Sequence, residues 1–259
     1  MTKREIKKEY KQKKRSLRLD YIKKKRELVR EYEGKMDEYY EISGETRPVD
    51  PPKRSVLEEV GNAVTHGVGA IFAIVAFVLM LNLSVSPVEY LGAITYFIGL
   101  FVMFTMSCLY HSFKHGSAVK RLFRRFDYSC IYLLIGATFA PILLAYVGGI
   151  FGGIFFAIQW LVIVFGITFV AVFSPARFRK LHIALYVILG WCGLLILPTM
   201  IKNGDYAFLA YILGGGVVYS VGIIPYAMKK GPSHFIWHFF VLLGAVVQWV
   251  GVYTCIYLK

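Results

Sequence analysis

The sequence predicts an all-α membrane protein: a bundle of seven transmembrane helices, N-terminus cytosolic and C-terminus outside, preceded by a basic cytosolic segment. Three observations predict it. The 259-residue chain is 57% hydrophobic and 16% aromatic. After Asn62 its apolar residues gather into repeated runs of about 20, the length that crosses ~30 Å of hydrocarbon. The basic residues that interrupt these runs fall, except for Lys202, in every second loop. Isolated apolar spans satisfy their backbone polar groups only as helices. A membrane β-barrel would show alternating segments of about 10 residues, and the sequence has none.

Residues 1–54 come first, and they hold 18 Lys and Arg against 11 Asp and Glu. Ile6, Tyr10, Leu17, Tyr21, Leu28 and Tyr32 recur mostly at four- and seven-residue steps, which suits a long, highly charged helix. Two readings stay open. One is an amphipathic helix on an anionic inner leaflet, where each basic residue contributes roughly 1 kcal/mol. The other is a solvated, partly disordered tail. Nucleic acid is not an expected partner, because basic charge beside membrane spans has a ready explanation in lipid. The segment Arg47 to Pro52, with three prolines, ends the helix and links it to residues 55–259.

The spans follow at 63–83, 90–112, 128–147, 151–173, 181–201, 207–228 and 234–257, to within about 3 residues. A charged stretch precedes the first apolar run, so no cleaved leader is expected and the first span is retained. Cys108, Cys130, Cys192 and Cys255 are scattered singly through apolar runs. They read as small packed residues, not as disulfides or a Cys-type metal site.

Loop charge sets the orientation. Lys114, Lys120, Arg121, Arg124 and Arg125 follow span 2; Arg177, Arg179 and Lys180 follow span 4; Lys229 and Lys230 follow span 6. With seven spans, these loops and the basic N-terminal segment all face the cytosol. A multi-pass protein of a bacterial cell membrane is expected.

From Ser55 onward the chain has five acids and six histidines. Ionisable groups at membrane depth are costly and mark functional sites. His111 ends span 2, Asp127 starts span 3, and His234 and His238 start span 7, all on the cytosolic side. Residues at i and i+4 share a helix face, so His234 and His238 can address one point, and His111 can complete a three-histidine site. Three protein ligands plus water is the pattern of a catalytic zinc site. Asp127 is then a fourth ligand or a hydrogen-bond partner of water at the metal. Ser107, one turn before His111, is either a helix-packing residue or a group that holds water or a substrate carbonyl. Glu59, Asn62 and His66 form one stripe at the start of span 1. They read as a polar cap, with orientation of the metal ligands as the alternative. His115 is expected to be exposed in a basic loop, and His182 to be interfacial.

Taken in order, Glu59-x-x-Asn62-x-x-x-His66, Ser107-x-x-x-His111, Arg124-Arg125-Phe126-Asp127 and His234-x-x-x-His238 resemble the hemolysin III family. That family groups with the progestin and adipoQ receptors (PAQR) and the alkaline ceramidases. The resemblance covers about residues 55–257 and is closest at Asp127 to Pro141. It implies seven helices with a cytosolic N-terminus and Zn2+ on His111, His234 and His238. It also implies that Asp127 holds the water at the metal, with Ser107 nearby. Tyr128 stands where many members have histidine, which touches the surroundings of the site and not its ligands.

The function that follows is zinc-dependent hydrolysis of a lipid amide or ester, ceramidase-like. Asp127 would be the general base, and Ser107 or the zinc would polarise the carbonyl. The alternatives are a membrane sensor with a structural zinc and a membrane-lytic protein. Lysis fits poorly with continuous apolar spans. A retinal pump is excluded because span 7 has no lysine before its terminal Lys259.

Overall fold

The computed structural model describes residues 2–43, 50–173, 175, 177–228 and 231–258. It forms two units, Met1–Asp50 and Pro51–Lys259. The first is a single helix, α1 (Lys3–Ser43), about 60 Å long at 1.5 Å per residue. Its stripe residues Ile6, Tyr10, Leu17, Tyr21, Leu28 and Tyr32 are all exposed, as a narrow apolar stripe without a partner in its own unit must be. Of the expected linker, Arg47 to Val49 lies outside the described residues, as do Lys229, Lys230 and Lys259.

The second unit is a bundle: α2 (Val56–Leu83), α3 (Pro87–Ser112), α4 (Ala118–Val147), α5 (Gly149–Phe173), α6 (Arg179–Asn203), α7 (Tyr206–Ala227) and α8 (Ser233–Tyr257). These are the seven helices among the described residues that are long and apolar enough to cross a membrane. No strand occurs among those residues.

Several helices start earlier than expected, α2 at Val56 instead of 63 and α4 at Ala118 instead of 128. The reason is capping. The side chains of Ser55, Ser86 and Ser117 accept hydrogen bonds from the amides of Glu58, Glu89 and Lys120, and such caps stabilise a first turn that need not be apolar. Reading apolar runs alone misses these polar turns. Lys120, Arg121, Arg124 and Arg125, expected in a loop, therefore ride on α4.

α2 packs against α3 and α8, α3 against α4, α4 against α5, and α7 against α8. α4 also meets α6 and α8, and it is the most buried of the seven. Close approach needs small residues. At Gly99 a Cβ would stand 2.1 Å from the Ala137 Cβ, so α3 and α4 touch almost backbone to backbone. Gly215, in the glycine triplet of α7, leaves room for Gln248 of α8, where a Cβ would stand 2.3 Å from Cγ. α4 ends after Pro141 in a widened π-helical turn, Ile142–Val147. α6 loosens into a 3-10 stretch, Cys192–Ile196, ahead of Pro198, which has no amide hydrogen to donate.

A candidate metal centre

The starts of α2, α4 and α8 and the end of α3 meet at one end of the bundle. Ring nitrogens of His111, His234 and His238 lie there within 4.8 Å of one another. His234 and His238 stand at i and i+4 on α8, and their Nε2 atoms are 3.2 Å apart. That is close to the edge, about 3.3 Å, of a tetrahedron built on Zn–N bonds of 2.0–2.1 Å. His111 Nε2 is buried and has no hydrogen-bond partner. Buried ring nitrogens rarely go unpaired. The histidine trio could bind a metal ion, and imidazoles suit a divalent transition metal.

His111 is oriented from behind. Glu59 Oε2 is 2.5 Å from His111 Nδ1. A hydrogen on Nδ1 donated to that carboxylate leaves the Nε2 lone pair for a metal, the usual second partner of a metal-ligating histidine. The other carboxylate oxygen accepts from Lys120 Nζ at 2.8 Å, and Lys120 also donates to the Phe113 carbonyl at 3.0 Å. Asn62 Nδ2 lies 3.3 Å from the same Nδ1. His66 stacks on His238 with ring centroids 3.8 Å apart, and neither of its nitrogens has a hydrogen-bond partner. The stripe Glu59, Asn62 and His66 thus touches two of the three histidines, which is more than a polar helix cap requires.

Asp127 stands outside the trio. Among the described residues no carboxylate joins the three nitrogens within 4.8 Å, so direct ligation is not seen. It lines the same cavity as His234 and His238 and is close enough to His111 to act on it electrostatically. Ser107, fully buried, faces Asp127 without a well-formed hydrogen bond.

The cavity has a volume of about 530 Å³. It runs along α8 from His234 to Gln248 and along α4 from Arg124 to Thr138, roughly 20 Å at 1.5 Å per residue. Beyond the histidines its walls are mostly apolar, with Leu134, Phe139, Val187, Trp191 and Val241 among them. An extended acyl chain matches that length and lining.

Two other histidines are held by neighbouring groups. His182 is fully buried in the bundle, with its Nδ1 2.9 Å from the Tyr132 hydroxyl. His115 is half-buried, not exposed, with Nε2 2.9 Å from the Pro51 carbonyl. Neither joins the trio. The sequence reading also missed Lys120 as the partner of Glu59. A signal was there: Lys120, Arg124, Asp127, Ile131 and Leu134 follow three- and four-residue steps, one inward face of a helix that starts at Ala118.

The chain is similar to several known proteins. The profile of the family described as "Haemolysin-III related" matches residues 54–249. Hemolysin-3 of Bacillus cereus is 36% identical over 198 residues, which cover 74% of this chain and 89% of that protein. The Hemolysin-3 homolog of Bacillus subtilis (strain 168) is 31% identical over 75% of this chain and 92% of its own. The human Monocyte to macrophage differentiation factor is 29% identical over 79% of this chain and 87% of its own.

Proposed function

The chain belongs to the haemolysin-III related family of multi-pass membrane proteins, and from that membership and the histidine trio we propose that it is a zinc-dependent hydrolase of lipid amides or esters. Its bacterial relatives and seven apolar helices are consistent with a bacterial cell membrane. The observation that carries the proposal is that His234 and His238 of the trio line an acyl-length cavity together with Asp127 and Ser107.

His111, His234 and His238 would hold the metal. When bound, zinc supplies Lewis-acid activation of water and of a carbonyl. The chain's own residues do the rest. Glu59 fixes the ring of His111 by accepting from its Nδ1. The apolar walls align the acyl chain and exclude bulk water from the labile bond. Asp127 accepts a proton from the attacking water and returns it to the leaving nitrogen or oxygen. Ser107 donates a hydrogen bond to the substrate carbonyl.

Basic charge supports an orientation with the site near the cytosolic face, since ten of the twelve Lys and Arg residues after Ser55 fall in the sequence after spans 2, 4 and 6. The excess of 18 Lys and Arg over 11 Asp and Glu in residues 1–54 supports contact of α1 with an anionic inner leaflet.

Metal analysis and a lipid screen on one preparation test the reading. Wild-type protein should carry about one zinc per chain and hydrolyse at least one acyl lipid of a panel, and Asp127→Ala should keep the zinc and lose turnover. Zinc without turnover on any lipid would favour a sensor with a structural metal. Dye release from vesicles on external addition would favour the lytic role.

A further inference from the structure

The mouth of the cavity carries more positive charge than a neutral lipid needs. Lys53, Arg54, Arg124 and Arg179 line it, against Glu58 and Asp127. The arginines are held inward and do not lie on the lipid-facing surface. Arg124 is 9% exposed, and the Arg54 side chain is 13% exposed. Arg54 sits 3.9 Å from Glu58 through Nε, while its Nη1 is buried without a hydrogen-bond partner. Arg179 donates through Nη2 to the Tyr226 carbonyl at 3.1 Å and covers the Tyr226 ring at 4.5 Å, and its Nε is likewise buried and unpartnered.

A rigid frame spaces these groups. The hydroxyls of Tyr128 on α4 and Tyr226 on α7 are 2.7 Å apart, and Tyr186 of α6 donates to the Tyr128 carbonyl at 2.7 Å. Arg124 lies over the Tyr128 ring, 6.0 Å from its centre. Each tyrosine of the pair thus carries a guanidinium, and Arg54 approaches from the segment before α2. Arg54 and Arg179 are both close enough to His234 to act on it electrostatically, which places the positive charge beside the reacting end of the cavity.

We propose that Arg54, Arg124 and Arg179 form a phosphate-recognition site at the cavity mouth, so that the lipid taken here carries a phosphate in its head group. One bidentate guanidinium satisfies a carboxylate; a phosphate offers oxygens on several sides and takes several. The inference rests on the reading of the cavity as a lipid site, and it restricts the substrate to phosphate-bearing acyl lipids.

Native mass spectrometry of the full-length, zinc-loaded protein tests it with phosphatidate, diacylglycerol of the same chains, and inorganic phosphate as probes. Wild type should bind phosphatidate about tenfold more tightly than diacylglycerol, as one retained charged hydrogen bond already gives. Arg54→Gln and Arg179→Gln should each remove most of that preference and leave diacylglycerol binding unchanged. Inorganic phosphate that displaced phosphatidate at equal concentration would overturn the lipid head group as the source. Equal binding of the two lipids would overturn the site, as would wild-type preference in both arginine variants. So would a preference lost at high salt in wild type, which is the behaviour of loose attraction to basic α1. The two readings fail separately. Selective binding without hydrolysis of any lipid sinks the hydrolase and keeps the phosphate site. Hydrolysis of neutral lipids with unselective binding does the reverse.

Discussion

Glu59 and His111 meet across the α2–α3 interface, Oε2 to Nδ1 at 2.5 Å, from positions 52 residues apart in the chain. The contact sets which ring nitrogen of His111 is free. Glu59→Gln keeps the shape and removes the charge; Glu59→Ala removes the contact. Loss of such a partner typically lowers metal affinity about 10- to 100-fold. Zinc affinity measured by chelator competition should fall in that range for Glu59→Ala and less for Glu59→Gln. Unchanged affinity in Glu59→Ala would mean that the contact only joins the two helices.

Each of the three histidines is needed if they share one ion. His111→Ala, His234→Ala and His238→Ala should each reduce zinc in the purified protein to a small fraction of wild type. A ligand that binds only the folded state stabilises it, by about 2.7 kcal/mol at a hundred times its dissociation constant. A chelator should therefore lower the melting temperature of wild type and leave that of His238→Ala unmoved. Equal chelator shifts in both proteins would place the metal elsewhere.

Lys120 is 1% exposed and bonded at once to Glu59 and to the Phe113 carbonyl. Removing one partner of a buried ion pair leaves an uncompensated charge and costs about 3–5 kcal/mol. Lys120→Met should destabilise the bundle by about that much. The double variant Lys120→Met, Glu59→Gln should recover part of the loss, because no lone charge is left. The comparison of the single and double variants by denaturant unfolding decides the point.

These contacts show how much could be read from the chain. The seven spans were legible because hydropathy at a period of about 20 residues is a strong physical signal. The trio was legible because i, i+4 spacing and loop charge placed His111, His234 and His238 at one end. Helix starts were not, since serine caps carry polar first turns that hydropathy does not register. Lys120, polar and ahead of the apolar run, therefore reads as a loop residue although it rides on the first turn of α4. The packing of His66 on His238 and the burial of His182 depend on helix rotation and tilt, which neighbours set and linear spacing does not encode.

Gly99 tests the close packing of α3 on α4. A Cβ there would stand 2.1 Å from that of Ala137, and overpacking of this kind costs about 1–3 kcal/mol. Gly99→Ala should lower the melting temperature yet keep the zinc, because His111 lies 12 residues further along α3, about 18 Å away. Adding Ala137→Gly should restore part of the stability by exchanging the methyl across the interface. A double variant no more stable than Gly99→Ala would argue against direct contact at this point.

On the proposed reading, substitution of Asp127 should separate catalysis from metal binding. It lines the cavity with His234 and His238 but is not within ligand distance of the trio as a whole. Asp127→Asn keeps the volume and loses the basic oxygen, so the zinc content should stay near wild type. A positioned general base contributes about 10²- to 10⁴-fold, and turnover of an acyl lipid should fall within that range. Ser107→Ala should keep both the metal and Asp127 and lower the rate less, since a bound zinc would also polarise a carbonyl. If Asp127→Asn loses zinc together with activity, the carboxylate is a ligand and the proton must go elsewhere. If it keeps both, the water that reacts is not the one beside Asp127. Loss of rate with the metal retained is the one outcome that assigns the proton to this carboxylate.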